Sequence, residues 1–379
     1  MRRAKRVNDA QYATLRLARF KSRVAIHILL LRSIYKCMKK SVILDAATVV
    51  GCLVGVGFLS GKEAKLFLGN FVNVIIFAIC FFALNIVTRI FCVAHHCFNV
   101  SSLAKTCFGR FAAAFTTLFL LCCFVCVVTM LAGVENCLQS YFATQLPMYG
   151  MLVAFLAALI LKKGLGALKV LNVISILLAL TYLICVACIG KNTYTGVSVS
   201  RIEPLKYALF SVTMSVGVLA PLSDTTKKGN VVATAIATLL ATALIVFLLY
   251  IANFSLENPI FDKSNNVFLN VLGSLAVILA TATGVAANTL PIKQCLADVF
   301  QDDVLCYVCI FCLAIALSMF GFDFALTYGY LFVAGVGILV VTTFVIITAK
   351  ENIRSLRNEK STEKALQNHS EYSVNKYEG

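Results

Sequence analysis

The chain has 379 residues, of which 60% are hydrophobic and only 13% are charged, and its formal net charge is +16. A soluble domain carries roughly 25% charged residues, so this chain lacks the polar surface that a soluble protein of its length needs. The mean hydropathy of +0.90 leads to the same exclusion. The composition therefore predicts an integral membrane protein whose main surroundings are the lipid bilayer.

Residues 1–41 form a strongly basic arm. The first 40 residues hold twelve Lys and Arg residues against the single acid Asp9. Basic residues next to a membrane span stay on the cytoplasmic side and are attracted by anionic lipids, so we predict a lipid partner here and no nucleic acid. The apolar stretch Val24–Leu31 is too short to cross a bilayer. Residues 11–40 are therefore expected to form a helix that lies on the membrane surface.

Ten apolar runs follow the arm, and each is predicted to be a transmembrane helix, since about 20 residues cross the hydrocarbon layer. The spans are expected at 42–69, 71–93, 111–134, 148–161, 165–189, 205–224, 229–254, 266–290, 304–321 and 324–348. A polar tail, 350–379, ends the chain. The distribution of Lys and Arg between the loops favours both termini in the cytoplasm.

Two of these spans contain residues that disfavour a helix. The first has four glycines within 51–61, and the sixth has Gly217 followed by Pro221. Unwound backbone within a membrane is tolerated only where it lines a cavity. Broken helices at corresponding positions of two repeats are typical of transporters with a mid-membrane substrate site. The alternative is that Gly51-x-x-x-Gly55 is a motif for close helix packing.

The segment Val54-Gly55-Val56-Gly57-Phe58-Leu59-Ser60-Gly61-Lys62-Glu63 resembles the G-x-G-F-x-S-G-x-E signature of the YkvI family of bacterial membrane proteins. That family is grouped with the amino acid–polyamine–organocation superfamily. Weaker similarities occur at 130–133, 216–222, 320–322 and 328–330, and the resemblance covers 42–349. The sequence departs from the family pattern at Lys62, where a neutral side chain is common, and in its basic arm.

The resemblance implies an all-α, LeuT-like fold of two inverted five-helix repeats, at about 42–189 and 205–348, with helices 1 and 6 broken. It also implies a multi-pass protein of the bacterial plasma membrane. The expected function is secondary active transport of a small solute, an amino acid or related zwitterion, by ion-coupled alternating access. No enzymatic activity is expected, because no catalytic motif appears in the sequence.

The resemblance also implies site residues. The substrate is expected to contact the two broken helices, at Gly55, Val56, Gly57, Phe58, Ser60, Ser215, Val216, Gly217 and Val218. A sodium ion is expected to bind the carbonyls of Gly51 and Val54 and the hydroxyls of Thr281 and Thr283, since oxygen ligands suit a hard cation. The coupling ion, Na⁺ or H⁺, is the only ligand expected besides the solute, and no cofactor is expected.

Three charged residues within or beside the spans have more than one interpretation. Glu63 follows the break of the first helix, where a carboxylate is costly unless paired or hydrated. It either carries a coupling proton, pairs with Lys62 or Lys65, or caps a helix. Asp45, early in the first span, has a weaker claim to a functional role and is expected at the membrane interface. Lys169 lies where some permeases of this superfamily place a lysine that substitutes for sodium, but its shallow position favours an inner-surface charge.

A function of another class stays open. A membrane receptor or interaction protein with the same fold and no transport activity also fits the sequence, because Lys62 and the basic arm depart from the family pattern. The sequence identifies neither the solute nor the oligomeric state.

Overall fold

The structure is a computed structural model, and it describes residues 40–59, 62–142, 148–189, 199–225, 231–255, 267–297, 302–350 and 353. Within those ranges all regular secondary structure is helical. The surface helix expected over 11–40 falls almost wholly outside the described residues, as does the polar tail. Those two expectations stay predictions.

The helices follow the order of the predicted spans. The first span contains α1 (Lys40–Gly51), α2 (Val56–Leu59) and a π-helix (Ala64–Leu68). The middle of the chain forms α3 (Phe71–Ala94), α4 (Val100–Phe108), a 3-10 turn (Gly109–Phe111), α5 (Ala112–Phe142), α6 (Met148–Lys163), α7 (Leu165–Ile189), α8 (Glu203–Thr225), α9 (Val231–Ser255), α10 (Val267–Leu296) and α11 (Asp303–Ser318). The last span contains α12 (Phe322–Phe324), a π-helix (Ala325–Gly329) and α13, 330–350.

The lengths and composition of these helices establish the protein class. Among the described residues, six helical segments are long and apolar enough to cross a membrane: Phe71–Ala94, Val100–Gln139, Leu165–Val186, Glu203–Leu222, Val267–Leu296 and Phe322–Lys350. Large apolar side chains also face outward, such as Ile79 at 64% exposure and Phe155 at 62%. The chain is therefore a multi-pass helical membrane protein, and the predicted class is confirmed.

The first span is interrupted, as predicted. Residues 52–55 between α1 and α2 form no regular helix, although the Val54 amide still donates to the Val50 carbonyl at 2.9 Å. Cys52 and Val54 are each only 1% exposed. The irregular backbone is thus enclosed by protein, which is the condition under which a membrane helix tolerates a break.

The sixth span is continuous, and the predicted break there is wrong. Helix α8 runs unbroken from Glu203 to Thr225 with Pro221 inside it. Gly217 has a packing role instead, because a Cβ at this position would lie 2.6 Å from Cγ of Pro291 on α10. The absence of a side chain at Gly217 lets α8 and α10 approach closely.

Helix α10 lies at the centre of the bundle. It packs against α5, α6, α7 and α8, and all of residues 280–289 are buried. Around it, α3 packs against α8 and α9, α1 packs against α7 and α9, and α5 packs against α11 and the last span. This arrangement encloses the interruption of the first span between α5, α9 and α10.

Candidate functional site

A methionine fills the space beside the interruption of the first span. Met130 of α5 lies between Gly55 and Gly284 of α10. A Cβ added to Gly55 would lie 3.5 Å from Met130 Cε, and a Cβ added to Gly284 would lie 3.0 Å from the same atom. Asn288 of α10 donates to the Gly284 carbonyl at 2.9 Å and also lies 3.8 Å from the Met130 sulfur. The position where the resemblance places a substrate beside Gly55 is therefore occupied by a side chain.

Buried polar groups converge at the end of α1. Asn172 of α7 lies directly on Gly51, where a Cβ would be 2.1 Å from Asn172 Oδ1. Asn172 and Thr281 of α10 are both 0% exposed, and no hydrogen-bond partner is found for Asn172 Oδ1, Asn172 Nδ2 or Thr281 Oγ1 among the described residues. Thr281 and Gly284 share one face of α10, and a Cβ on Gly284 would lie 3.6 Å from the Gly51 carbonyl oxygen. Asn172 thus lies on Gly51, and helix periodicity places Thr281 on the face of α10 that approaches Gly51.

The four predicted ion ligands do not all meet. Thr281 is on the face of α10 that approaches Gly51, and Val54 is buried in the interruption, three residues after Gly51. Thr283 donates its hydroxyl to the Ala280 carbonyl at 3.0 Å, and it points about 200° around α10 from Thr281. Thr283 therefore points away from Thr281, and it is not among the groups beside Gly51. Asn172 also lies at Gly51, and the sequence analysis did not predict it there.

Glu63 is a buried carboxylate held by two tyrosines. It is 3% exposed, its Oε2 accepts a hydrogen bond from Tyr207 of α8 at 2.6 Å, and its Oε1 accepts one from Tyr330 at the start of α13. No ion pair of the described residues involves Glu63. A Cβ on Gly57 would lie 2.1 Å from Oε1, so glycine at 57 leaves room for the carboxylate.

Four aromatic rings, two of them belonging to the tyrosines that bind Glu63, stack on one another. Phe67 stacks on Tyr207 with ring centroids 5.1 Å apart and on Tyr330 at 5.7 Å, and Phe210 stacks on Tyr330 at 3.8 Å. A cavity of about 260 Å³ is lined by these four rings and by Leu66, Glu203, Lys206, Thr327 and Leu331. We call it the aromatic cavity. Sequence inspection missed it because its walls come from three separate spans.

The remaining substrate residues predicted on the first span are mostly buried. Phe58 is 1% exposed, and Gly55 and Gly57 are also buried. Gly55 faces Met130 and Gly57 faces Glu63. The side chain of Val56 and the whole of Ser60 lie outside the described residues.

The substrate residues predicted on the sixth span lie inside a continuous helix. Ser215, Val216, Gly217 and Val218 are all buried in α8, and the Ser215 hydroxyl donates to the Ser211 carbonyl at 2.8 Å. Amides within a helix are bonded to carbonyls one turn earlier. These residues therefore do not present free amides, although the Gly217 carbonyl lacks its usual helical donor because Pro221 has no N–H.

A second charged cluster lies near the start of the first span. Asp45, only 3% exposed, accepts from Lys169 Nζ of α7 at 2.7 Å, and its other oxygen is 3.5 Å from Arg89 Nη2 of α3. Arg89 is fully buried, and none of its side-chain nitrogens makes a hydrogen bond to a described residue. Asp45 is therefore enclosed by protein rather than free at the surface, and Lys169 is its ion-pair partner.

Lys62 has a partner within the chain. Its Nζ lies 3.0 Å from Asp323 Oδ1 and 5.1 Å from the centre of the Phe322 ring. The pair joins the first span to the last span. Lys62 is therefore accounted for by contacts within the chain.

No protein-family model matches the chain, and no curated protein matches it. Among the described residues, no three His, Cys, Asp or Glu side chains are grouped as metal ligands. The function is therefore argued from the groups around Gly51 and Glu63.

Proposed function

We propose that the chain is a secondary active transporter that moves a small zwitterionic solute, such as an amino acid, by ion-coupled alternating access. The observation that carries the proposal is the convergence of Asn172 and Thr281 on Gly51, at the interruption of the first span. A buried polar group without a partner costs about 1–3 kcal/mol. Native proteins rarely leave such groups without a ligand, an ion or a water molecule.

The chemistry of these groups suits a sodium ion. The Gly51 carbonyl, the Thr281 hydroxyl and the Asn172 amide all offer oxygen atoms, which are the ligands that hard cations take. An ion at this position would contact α1, α7 and α10 at once. Ion binding would then favour one arrangement of α1 against α7 and α10, which is the coupling that the proposed mechanism requires.

Helix packing supports two repeats of five spans. We count the interrupted span, α3, α5, α6 and α7 as the first repeat, and α8, α9, α10, α11 and the last span as the second. Helix α3 packs against α8. If each helix is replaced by the one at the same position in the other repeat, the pair becomes α9 and the first span, which also pack together. Helix α7 packs against α10, and the corresponding pair in the exchanged repeats, the last span and α5, is also in contact. Helix α6 packs against α10, and the corresponding pair, α11 and α5, is in contact as well. Repeats with the same internal fold are expected to give such paired contacts.

Uptake into liposomes tests the proposal. The purified full chain is reconstituted, and uptake of each radiolabelled standard amino acid is measured with an inward sodium gradient, with a proton gradient and with neither. We expect at least one amino acid to accumulate only with a gradient. Absence of gradient-dependent accumulation for all of them would overturn the proposal.

A pair of threonine variants tests the ion site. Thr281→Val removes an oxygen that faces Gly51 and is expected to abolish sodium dependence. Thr283→Val removes a hydroxyl that bonds Ala280 of its own helix, and it is expected to leave sodium dependence intact. Equal behaviour of the two variants would contradict the proposed ligand set.

A further inference from the structure

A cation lies where α5 enters the membrane. Arg110 directly precedes a run of 24 uncharged residues, 111–134, which Glu135 ends. At the helical rise of 1.5 Å per residue this run covers roughly 36 Å, slightly more than the hydrocarbon thickness of about 30 Å. Arg110 and Glu135 therefore lie at the level of the lipid headgroups, on opposite faces of the bilayer.

The short helix α4 brings a second cation close to Arg110. Helix α4 packs against α5, α8 and α10, and its buried face consists of Val100, Leu103 and Ala104. Lys105 lies in its last turn and is exposed. Gly109, with a φ of 51°, ends the helix, and its amide donates to the Lys105 carbonyl. One turn of backbone therefore connects the two cations.

These two cations have no counter-charge in the part of the chain that the structure describes. No ion pair there includes Lys105 or Arg110. The sequence also contains no Asp or Glu over 64–134, so no acid lies on the helices that adjoin them in the chain. Their positive charge is available to an external anion.

Two acids on the same face of the protein are engaged elsewhere. Ser101 Oγ of α4 lies 3.4 Å from Cys295 Sγ, which places the end of α10 on this face. At the start of the next helix, Asp303 is paired with Lys293 at 2.7 Å, and the Asp302 side chain caps α11. Both carboxylates thus have partners other than the two cations near α4.

An aromatic ring beside Arg110 offers an apolar contact at the same level. The Phe111 side chain is 61% exposed, and the Arg110 guanidinium lies 4.9 Å from the centre of its ring. A guanidinium can form two parallel hydrogen bonds with a phosphate group, and a lysine adds a point charge. Aromatic side chains at headgroup depth contact the lipid below it. We call Lys105, Arg110 and Phe111 the basic corner.

We propose that the basic corner binds an anionic phospholipid, with Lys105 and Arg110 on the phosphodiester and Phe111 against the acyl chains. A free phosphate would use the two cations and leave the exposed ring without a contact, so the combination fits a lipid. The basic corner is separate from the groups around Gly51, and the inference does not depend on the proposed transport function.

A tryptophan placed at the basic corner tests this inference. The sequence contains no tryptophan, so Phe111→Trp gives the full chain a single one and keeps a ring beside Arg110. The variant is reconstituted in equimolar phosphatidylglycerol and phosphatidylcholine with identical chains, and only one of the two lipids carries bromine, which quenches fluorescence. The two quenching values give the ratio of the binding constants. Phosphatidylglycerol is expected to be preferred about 25-fold, roughly fivefold for each cation.

Two charge variants and a matched control locate the preference. Arg110→Gln and Lys105→Gln, each combined with Phe111→Trp, are expected to reduce the preference to about fivefold, since one cation remains. The control is Phe155→Trp, because Phe155 is 62% exposed and lies in the middle of α6. At that position the two lipids are expected to quench equally.

Each result supports or overturns the inference. Equal quenching of Phe111→Trp by the two lipids would overturn it, as would a preference that both charge variants leave unchanged. The same preference at Phe155→Trp would overturn it too, because attraction to the whole basic chain would then suffice. A preference that excess inorganic phosphate abolishes at constant ionic strength would show that a free phosphate occupies the corner instead of a lipid. A preference confined to position 111 and reduced by either charge variant would support it. If one charge variant does not fold, the other decides.

Discussion

Replacement of Asp45 by Asn would leave two buried cations without their shared carboxylate. Asp45 lies 2.7 Å from Lys169 Nζ and 3.5 Å from Arg89 Nη2. At an effective dielectric constant of about 20, opposite charges at these distances attract by about 5–6 kcal/mol each, and most of that attraction offsets the cost of desolvation. Removal of one partner from a buried pair costs about 3–5 kcal/mol. We therefore expect Asp45→Asn to lower the free energy of unfolding by that amount.

The other members of the cluster make the prediction sharper. Arg89→Met would leave Asp45 paired with Lys169 alone, so charge balance is restored and no loss of stability is expected. The double variant Asp45→Asn/Arg89→Met leaves one buried cation instead of two, and it should recover part of the loss. Unfolding in SDS, starting from a mild detergent, measures all three variants against wild type. A loss below about 1 kcal/mol for Asp45→Asn, or an equal loss for Arg89→Met, would refute the reasoning.

Three other substitutions have defined outcomes. Gly337→Ala should cost about 1–3 kcal/mol by overpacking, because its Cβ would lie 2.8 Å from a backbone oxygen of α8. The control Gly335→Ala, which meets no atom within 4 Å, should gain about 0.5–1 kcal/mol in the same unfolding assay. Gly57→Ala should cost about 1–3 kcal/mol in the same assay by overpacking, because its Cβ would lie 2.1 Å from Oε1 of Glu63. Lys62→Ala should change the free energy of unfolding by less than about 1 kcal/mol, since exposed ion pairs are weak.

Much of the helical architecture follows from local sequence properties. Hydropathy locates the spans because a lipid environment requires long apolar helices. The glycines at 51, 55 and 57 mark the interruption of the first span because they give little support to a helix. The same argument fails at Gly217 and Pro221. There the glycine accommodates Pro291 of α10, and that partner lies 74 residues further along the chain, beyond the reach of a local pattern.

The candidate site was predictable only in part. Glu63 stood out because a carboxylate within a span is costly. Its partners Tyr207 and Tyr330 did not, since tyrosine is common in membrane helices and nothing local distinguishes these two. Asn172 was missed for a similar reason: its importance comes from lying on Gly51 of another helix. Helix-to-helix contacts, rather than motifs, determine which polar residues meet.

The two halves of the first span are anchored to different parts of the protein. After the interruption, Glu63 connects the second half of the span to α8 and α13. Before it, Asp45 connects α1 to α3 and α7. The irregular residues 52–55 therefore connect two halves of the first span that are held by different helices. In the proposed transport cycle, one half of the first span could change its contacts while the other half keeps them, so the two ends of a solute pathway would not have to open together.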